Sequence, residues 1–183
     1  MVGHREQLEL TIQAKEQESQ IASSAGFPPI AGPGARILIL GSLPGQRSLQ
    51  AAQYYAHPQN AFWRIMQELT GAEGPYELRC AGLVKYGIAL WDVLAESVRP
   101  GSMDADILLE TAEVNDFARF FSEHRKIEHV CFNGQKAAEM FRRSVVLDVA
   151  NEAKLFATLP STSPAYASMK YEEKLAKWRE AIT

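Results

Sequence analysis

The chain has 183 residues, 46% hydrophobic and 22% charged, with a formal net charge of −3. That length suits one domain able to bury its own core, and no run nears the ~20 apolar residues that cross a bilayer. The acidic balance argues against a protein that coats a duplex, because such affinity comes largely from Lys and Arg against phosphates, but it leaves room for an enzyme that meets DNA locally.

Residues 1–22 are charged and Gln-rich, with Leu8, Leu10, Ile12 and Ile21 as the apolar points. They read as a marginal helix or mobile extension with no apolar signal-peptide core, so the expected compartment is the cytoplasm. The Gly/Pro-rich stretch from Ser23 to Gly34 breaks regular structure, and the compact domain is expected over 35–183, after an extension of residues 1–34.

Arg36–Leu40 is a continuous apolar run, the pattern of a strand buried on both faces. Asn60–Leu69 carries Phe62, Ile65, Met66 and Leu69 at helical spacing. A second strand lies within Tyr86–Val93, and Val114, Phe117, Ala118 and Phe121 make an amphipathic helix. Glu128–Phe132 is a third strand with a helix, Gly134–Arg143, directly behind it. Leu155–Leu159 is a fourth strand stopped by Pro160, and Lys170–Ile182 is a closing helix with Tyr171, Leu175, Trp178 and Ile182 on one side. Strands alternating with helices predict a three-layer α/β/α sandwich on a short four-stranded parallel sheet. Parallel strands end on one rim, and ligands of open α/β sheets bind at that edge.

Two cysteines, Cys80 and Cys131, lie in apolar settings and read as buried thiols; they are too few for an iron–sulfur cluster. The four histidines (His4, His57, His124, His129) and the carboxylates show no metal-ligand spacing. No metal and no cofactor are expected.

Three rim segments carry candidate chemistry. The first is the Gly41-Ser42-Leu43-Pro44-Gly45 turn, whose N–H groups can form a small anion-binding concavity but which lacks the spacing and Lys of a Walker loop. The second runs from Tyr54 and Tyr55 through His57-Pro58 to Asn60, Phe62 and Trp63. Asn60 can cap the helix that follows. Phe62 and Trp63 read as core, whereas two adjacent tyrosines in a polar loop suit a stacking platform. The third is Pro160-Ser161-Thr162-Ser163-Pro164-Ala165-Tyr166, small hydroxyls stiffened by two prolines.

Together these segments resemble the uracil-DNA glycosylase superfamily over roughly Ala35–Ile182. Gly-Ser-Leu-Pro-Gly stands at its first motif, and Leu159-Pro-Ser-Thr-Ser-Pro164 at its second. His57-Pro-Gln-Asn-Ala-Phe-Trp63 is similar to a segment of the mismatch-specific uracil/thymine branch. That branch has Asn where this chain has Ser42, and other branches place an acid in a loop that here holds none between Gly41 and Asn60. The hypoxanthine-DNA glycosylase branch fits best, on Gly41–Pro44, the tyrosines, Arg99-Pro-Gly-Ser-Met-Asp104, Phe132-Asn-Gly134 and the Leu159–Ala165 run.

The resemblance implies a monomeric, monofunctional DNA glycosylase that removes hypoxanthine or uracil everted from DNA. Asn60 would position the attacking water, with Ser42 as a secondary catalytic candidate. Gly41, Leu43, Pro44, Gly45, Tyr54, Tyr55 and Asn133 would hold the base, and Pro160–Tyr166 would wedge into the stack. An Asn133 amide can match the N–H and carbonyl edge shared by hypoxanthine and uracil, or serve as a helix cap. Asp92 and Asp104 are able to meet the rim but read as structural, and Lys136 and Lys170 read as phosphate contacts. Two alternatives stand beside this reading. One is a mismatch-specific uracil/thymine enzyme; the other is a base- or nucleotide-binding module that kept the fold and lost the chemistry.

Overall fold

The computed structural model describes residues 23–98, 107–147 and 154–182. The Arg99–Asp104 segment, His4 and the N-terminal helix expected before residue 23 lie outside those residues.

The central sheet is built from β2 (Ile37–Gly41), β3 (Ile88–Asp92), β6 (His129–Asn133) and β7 (Leu155–Leu159). All pairings are parallel and the order is β3-β2-β6-β7, with Gly41 opposite Asp92 and Asn133 opposite Leu159. Each strand spans five residues and ends on the same rim, which is why the segments starting at Gly41, Asn133 and Pro160 come together.

The continuous apolar runs follow from burial on both faces, with side chains alternating. Leu38, Leu40, Ala89, Trp91, Val130 and Phe132 enter one core; Ile39, Ile88, Leu90 and Cys131 enter the other. Helix α4 (Phe117–Glu123) and helix α5 (Gln135–Ser144) close the first core through Phe117, Phe120, Phe121, Met140 and Phe141. Helix α2 (Phe62–Thr70), helix α3 (Tyr76–Tyr86) and helix α6 (Tyr171–Ile182) close the second through Phe62, Trp63, Ile65, Met66, Leu83, Trp178 and Ile182. A short helix, α1 (Gln46–Ala51), follows the first rim turn. Phe62 and Trp63 are core, as their spacing implies.

Two features were not legible in the sequence. β1 (Ser23–Ala25), β4 (Leu94–Val98) and β5 (Glu113–Val114) form a separate antiparallel sheet in the order β1-β4-β5. β1 and β5 are only three and two residues long, too short to carry a hydrophobic period. The folded body therefore begins ahead of Ala35. Ser23 pairs with Val98, Ile30 bridges to Leu90, and the Phe27 carbonyl accepts the Trp91 indole N–H at 3.1 Å. The prolines and glycines of this stretch rule out a helix but leave isolated backbone bonds available.

Candidate active site

A cleft of about 610 Å³ opens at the rim where the parallel strands end. That volume falls within the range of small-molecule sites, ~300–1,000 Å³. Gly41 to Gly45, Tyr54, Tyr55, Asn60, Asn133 and residues 161–166 all line it. Pro160 stands behind the wall, where its carbonyl accepts the Trp178 indole N–H at 2.9 Å.

The first turn continues the sheet by its carbonyls: Val93 N–H donates to Gly41 and Leu94 N–H to Ser42. Ser42 is buried. Gly41 is required by close approach, because a Cβ there would collide with the Asp92 carboxylate and stand 3.0 Å from the Tyr55 hydroxyl. Asp92 is 3% exposed and lines the cleft. Asp92 ends β3, so a fourth strand end joins the rim, and its signal in the sequence is an acidic residue closing the buried run Ile88-Ala-Leu-Trp91.

The two tyrosines separate. Tyr54 is buried; its hydroxyl shares its proton between the Phe27 and Pro28 carbonyls, each at 3.3 Å, and its own carbonyl accepts the Trp63 indole N–H at 2.8 Å. Burial first, then the charge of Asp92, pushes its phenol far above the ordinary range. Core packing and hydrogen bonds hold the Tyr54 ring in the cleft wall, so of the two tyrosines offered as a stacking platform it is the one without an open face. Tyr55 has the platform geometry. Its backbone is left-handed, φ 53°, and its ring stacks on Phe62 with centroids 4.1 Å apart. A bulky residue is rarely found with such a φ, and strain of this kind concentrates at functional positions.

Asn60 Oδ1 accepts the Phe62 N–H at 3.0 Å, capping α2 from just outside its first turn. That bond orients the amide and uses one acceptor site, leaving both Nδ2 protons and a lone pair for other partners. His57 Nδ1 accepts the Gln59 N–H, a local turn contact.

Asn133 is engaged at both ends by one residue. Thr162 N–H donates to Oδ1 at 2.8 Å, and Nδ2 donates to Thr162 Oγ1 at 2.8 Å. The Thr162 N–H can only donate, so the amide orientation follows from its partner. A single residue reaches both ends only across the outer edge of the amide, where lone pair and N–H run side by side. That is the edge a two-point contact with a base would need. The expected bidentate reading by Asn133 is therefore closed in this conformation, and one proton and one lone pair remain on its flanks. Nor does Asn133 cap α5, whose N-cap is Gly134. Gly134 has φ +100° and a Cβ there would lie 3.0 Å from that of Ser161, so glycine is needed on both counts.

The third segment is braced along its length. Thr162 is buried, and its carbonyl also accepts the Ala61 N–H at 3.0 Å, joining the finger to the Asn60 segment. Lys174 Nζ donates to the Tyr166 carbonyl at 2.7 Å, and burial lowers its pKa. Pro164, Ala165 and Tyr166 are left exposed at the tip.

Among the described residues no group of three or more His, Cys, Asp or Glu side chains could hold a metal, and no helix is long and apolar enough to cross a membrane.

The sequence profile of the uracil DNA glycosylase superfamily matches residues 28–183. A hypoxanthine DNA glycosylase from Methanosarcina acetivorans is 38% identical over 143 residues, 76% of this chain and 86% of that protein. Another, from Methanosarcina barkeri, is 35% identical over 160 residues, 86% of this chain and 96% of that protein. A solution NMR structure from Methanosarcina acetivorans, described as a candidate uracil DNA glycosylase, superposes with a TM-score of 0.74 at 32% identity. It covers 88% of this chain and 97% of its own. The chain belongs to the uracil DNA glycosylase superfamily.

Proposed function

We propose that this protein is a monofunctional DNA glycosylase that hydrolyses the N-glycosidic bond of a deaminated base, hypoxanthine first, in DNA. The observation that carries the reading is the meeting of Tyr55, Asn60 and the braced finger 161–166 around one cleft large enough for a purine. The two relatives named for hypoxanthine support the choice of base.

The finger enters the duplex at Pro164–Tyr166 while the target nucleotide rotates out. Its bonds to Asn133, Ala61, Trp178 and Lys174 are made before DNA arrives, so little ordering cost is left for binding. The everted base stacks on Tyr55. Asn60, oriented by the Phe62 N–H, holds a water against the anomeric carbon. The C1′–N9 bond breaks with its electron pair passing to the purine, water oxygen bonds to C1′, and the water's protons end on the purine and the new hydroxyl. N–H groups of the Gly41–Gly45 turn stabilise the charge that builds on the departing base, a type of contribution worth several kcal/mol. Asn133 contacts the base by a single flanking bond and keeps the finger in register through Thr162. Water is the other reactant, so no cofactor enters, and every group comes from one chain, so a monomer suffices.

The test is a set of duplex oligonucleotides carrying one inosine or one uracil, incubated with protein and then treated with alkali. Scission at inosine is expected. Scission at uracil alone assigns the protein to the uracil-selective alternative, and binding without scission at either assigns it to the non-catalytic one.

A further inference from the structure

A second cleft, of about 370 Å³, adjoins the first and shares Tyr55, His57 and Asn60 with it. Trp63, Arg64 and Arg79 are among its other lining residues. The Arg79 guanidinium lies 4.6 Å over the Trp63 ring and 5.7 Å over Tyr76, and its Nε is buried without a hydrogen-bond partner. Arg64 lies 3.7 Å over Tyr171. Among the described residues neither arginine forms an ion pair. The carboxylates nearby are held by neutral donors. Glu73, exposed on the cleft wall, accepts from Gln67 Nε2 at 3.3 Å, and Glu68 accepts from the Tyr171 hydroxyl at 2.8 Å.

An orphaned buried guanidinium N–H costs free energy unless a ligand completes it. Two guanidiniums set on aromatic faces, one with an open donor, present charge and N–H groups to an anion with tetrahedral oxygens. The wall shared with the base cleft includes the residue placed at the sugar, Asn60. The ligand that reaches both sides of that wall is one strand of DNA, base on one side and backbone on the other. We propose that the Arg64–Arg79 cleft binds a phosphodiester of the target strand beside the everted nucleotide; this rests on the glycosylase reading above. The chain's acidic total makes such a local site more consequential, because the remaining surface supplies little general attraction.

The experiment measures equilibrium binding to a duplex holding a tetrahydrofuran abasic analogue, which needs no catalysis. Phosphates flanking the lesion are replaced one at a time by neutral methylphosphonate. For the unsubstituted protein one replacement is expected to weaken binding about tenfold. In Arg79→Gln, and in Arg64→Gln at the more exposed partner, that same replacement is expected to cost less than twofold. The slope of log affinity against log salt should fall by about 0.9 in each variant. Equal methylphosphonate effects in all three proteins would overturn the subsite while leaving the glycosylase reading intact. Failure of the unsubstituted protein to bind the lesion or excise inosine would overturn both. Inorganic phosphate serves as a control: if the variants lose phosphate binding without losing the methylphosphonate effect, the cleft takes free phosphate and the DNA assignment falls.

Discussion

Thr162 satisfies both ends of the Asn133 amide, by its N–H and its hydroxyl, each bond 2.8 Å long. The pair ties the end of β6 to the middle of the finger, and the Thr162 carbonyl carries the tie on to Ala61 beside Asn60. One buried threonine thus sets the relative position of Asn133, the Asn60 segment and the finger.

Thr162→Val keeps shape and backbone but removes the acceptor for Asn133 Nδ2. An unpaired buried donor costs about 1–3 kcal/mol. Urea denaturation should show that loss, and inosine excision should fall at least ~10-fold because the finger and the base cleft lose their common register. Thr162→Ser should restore both. An excision rate unchanged in Thr162→Val would remove the tie from the mechanism.

Asn60 combines a capping bond with the proposed placement of water, and two substitutions separate them. Asn60→Ala should lose about 0.5–2 kcal/mol of stability along with activity. Asn60→Ser retains a capping oxygen, so its thermal midpoint should stay near that of the parent. Its single-turnover excision rate should still fall ~100-fold or more, the scale of losing a positioned catalytic group. If Asn60→Ser excises inosine normally, the residue is a cap and nothing more.

The tyrosines should respond differently. Tyr55→Leu removes a stacking face worth about 1–3 kcal/mol per base, so KM for inosine duplex should rise ~10-fold or more. Tyr54→Phe leaves two carbonyls without their shared hydroxyl proton and should lower stability, with excision by the remaining folded protein unchanged. Urea curves and steady-state kinetics on both variants check the division. An equal KM effect for both would return Tyr54 to the platform.

Alkaline stability follows from the buried thiol. Burial raises Cys131 from 9.0 to about 11. The folded state therefore holds a proton that the unfolded state releases from pH 9 upward. Stability from this group is complete below pH 9 and declines as pH rises to about 11, by on the order of 2–3 kcal/mol. Tyr76 and Tyr171, both pushed up to about 12 chiefly by burial, add losses of the same sign from pH 10. Urea titrations between pH 8 and 11 should show the fall. Cys131→Ala should be less stable at pH 8 yet lose less over that interval, and an unchanged slope would remove the thiol from the account.

The parallel sheet was legible because burial on both faces writes continuous apolar runs such as Ile37–Leu40, and because such strands must end on one rim. The placing of Gly41, Asn133 and Pro160 at one rim followed from that period and its Gly/Pro punctuation, and the cleft that Gly41, Asn60, Asn133 and residues 161–166 line lies there. The small antiparallel sheet escaped because Ser23–Ala25 and Glu113–Val114 are held by backbone bonds, which are indifferent to side chain. What folding alone decided was the partner of each polar group. Adjacent tyrosines look alike on paper, but one hydroxyl met the Phe27 and Pro28 carbonyls and its neighbour took a left-handed backbone at the cleft. An amide reads as a base-recognition group until Thr162, 29 residues away, is found across its edge. Hydrophobic period is a local property of a strand or helix, whereas a hydrogen-bond partner depends on distances between segments that exist only once the core has closed.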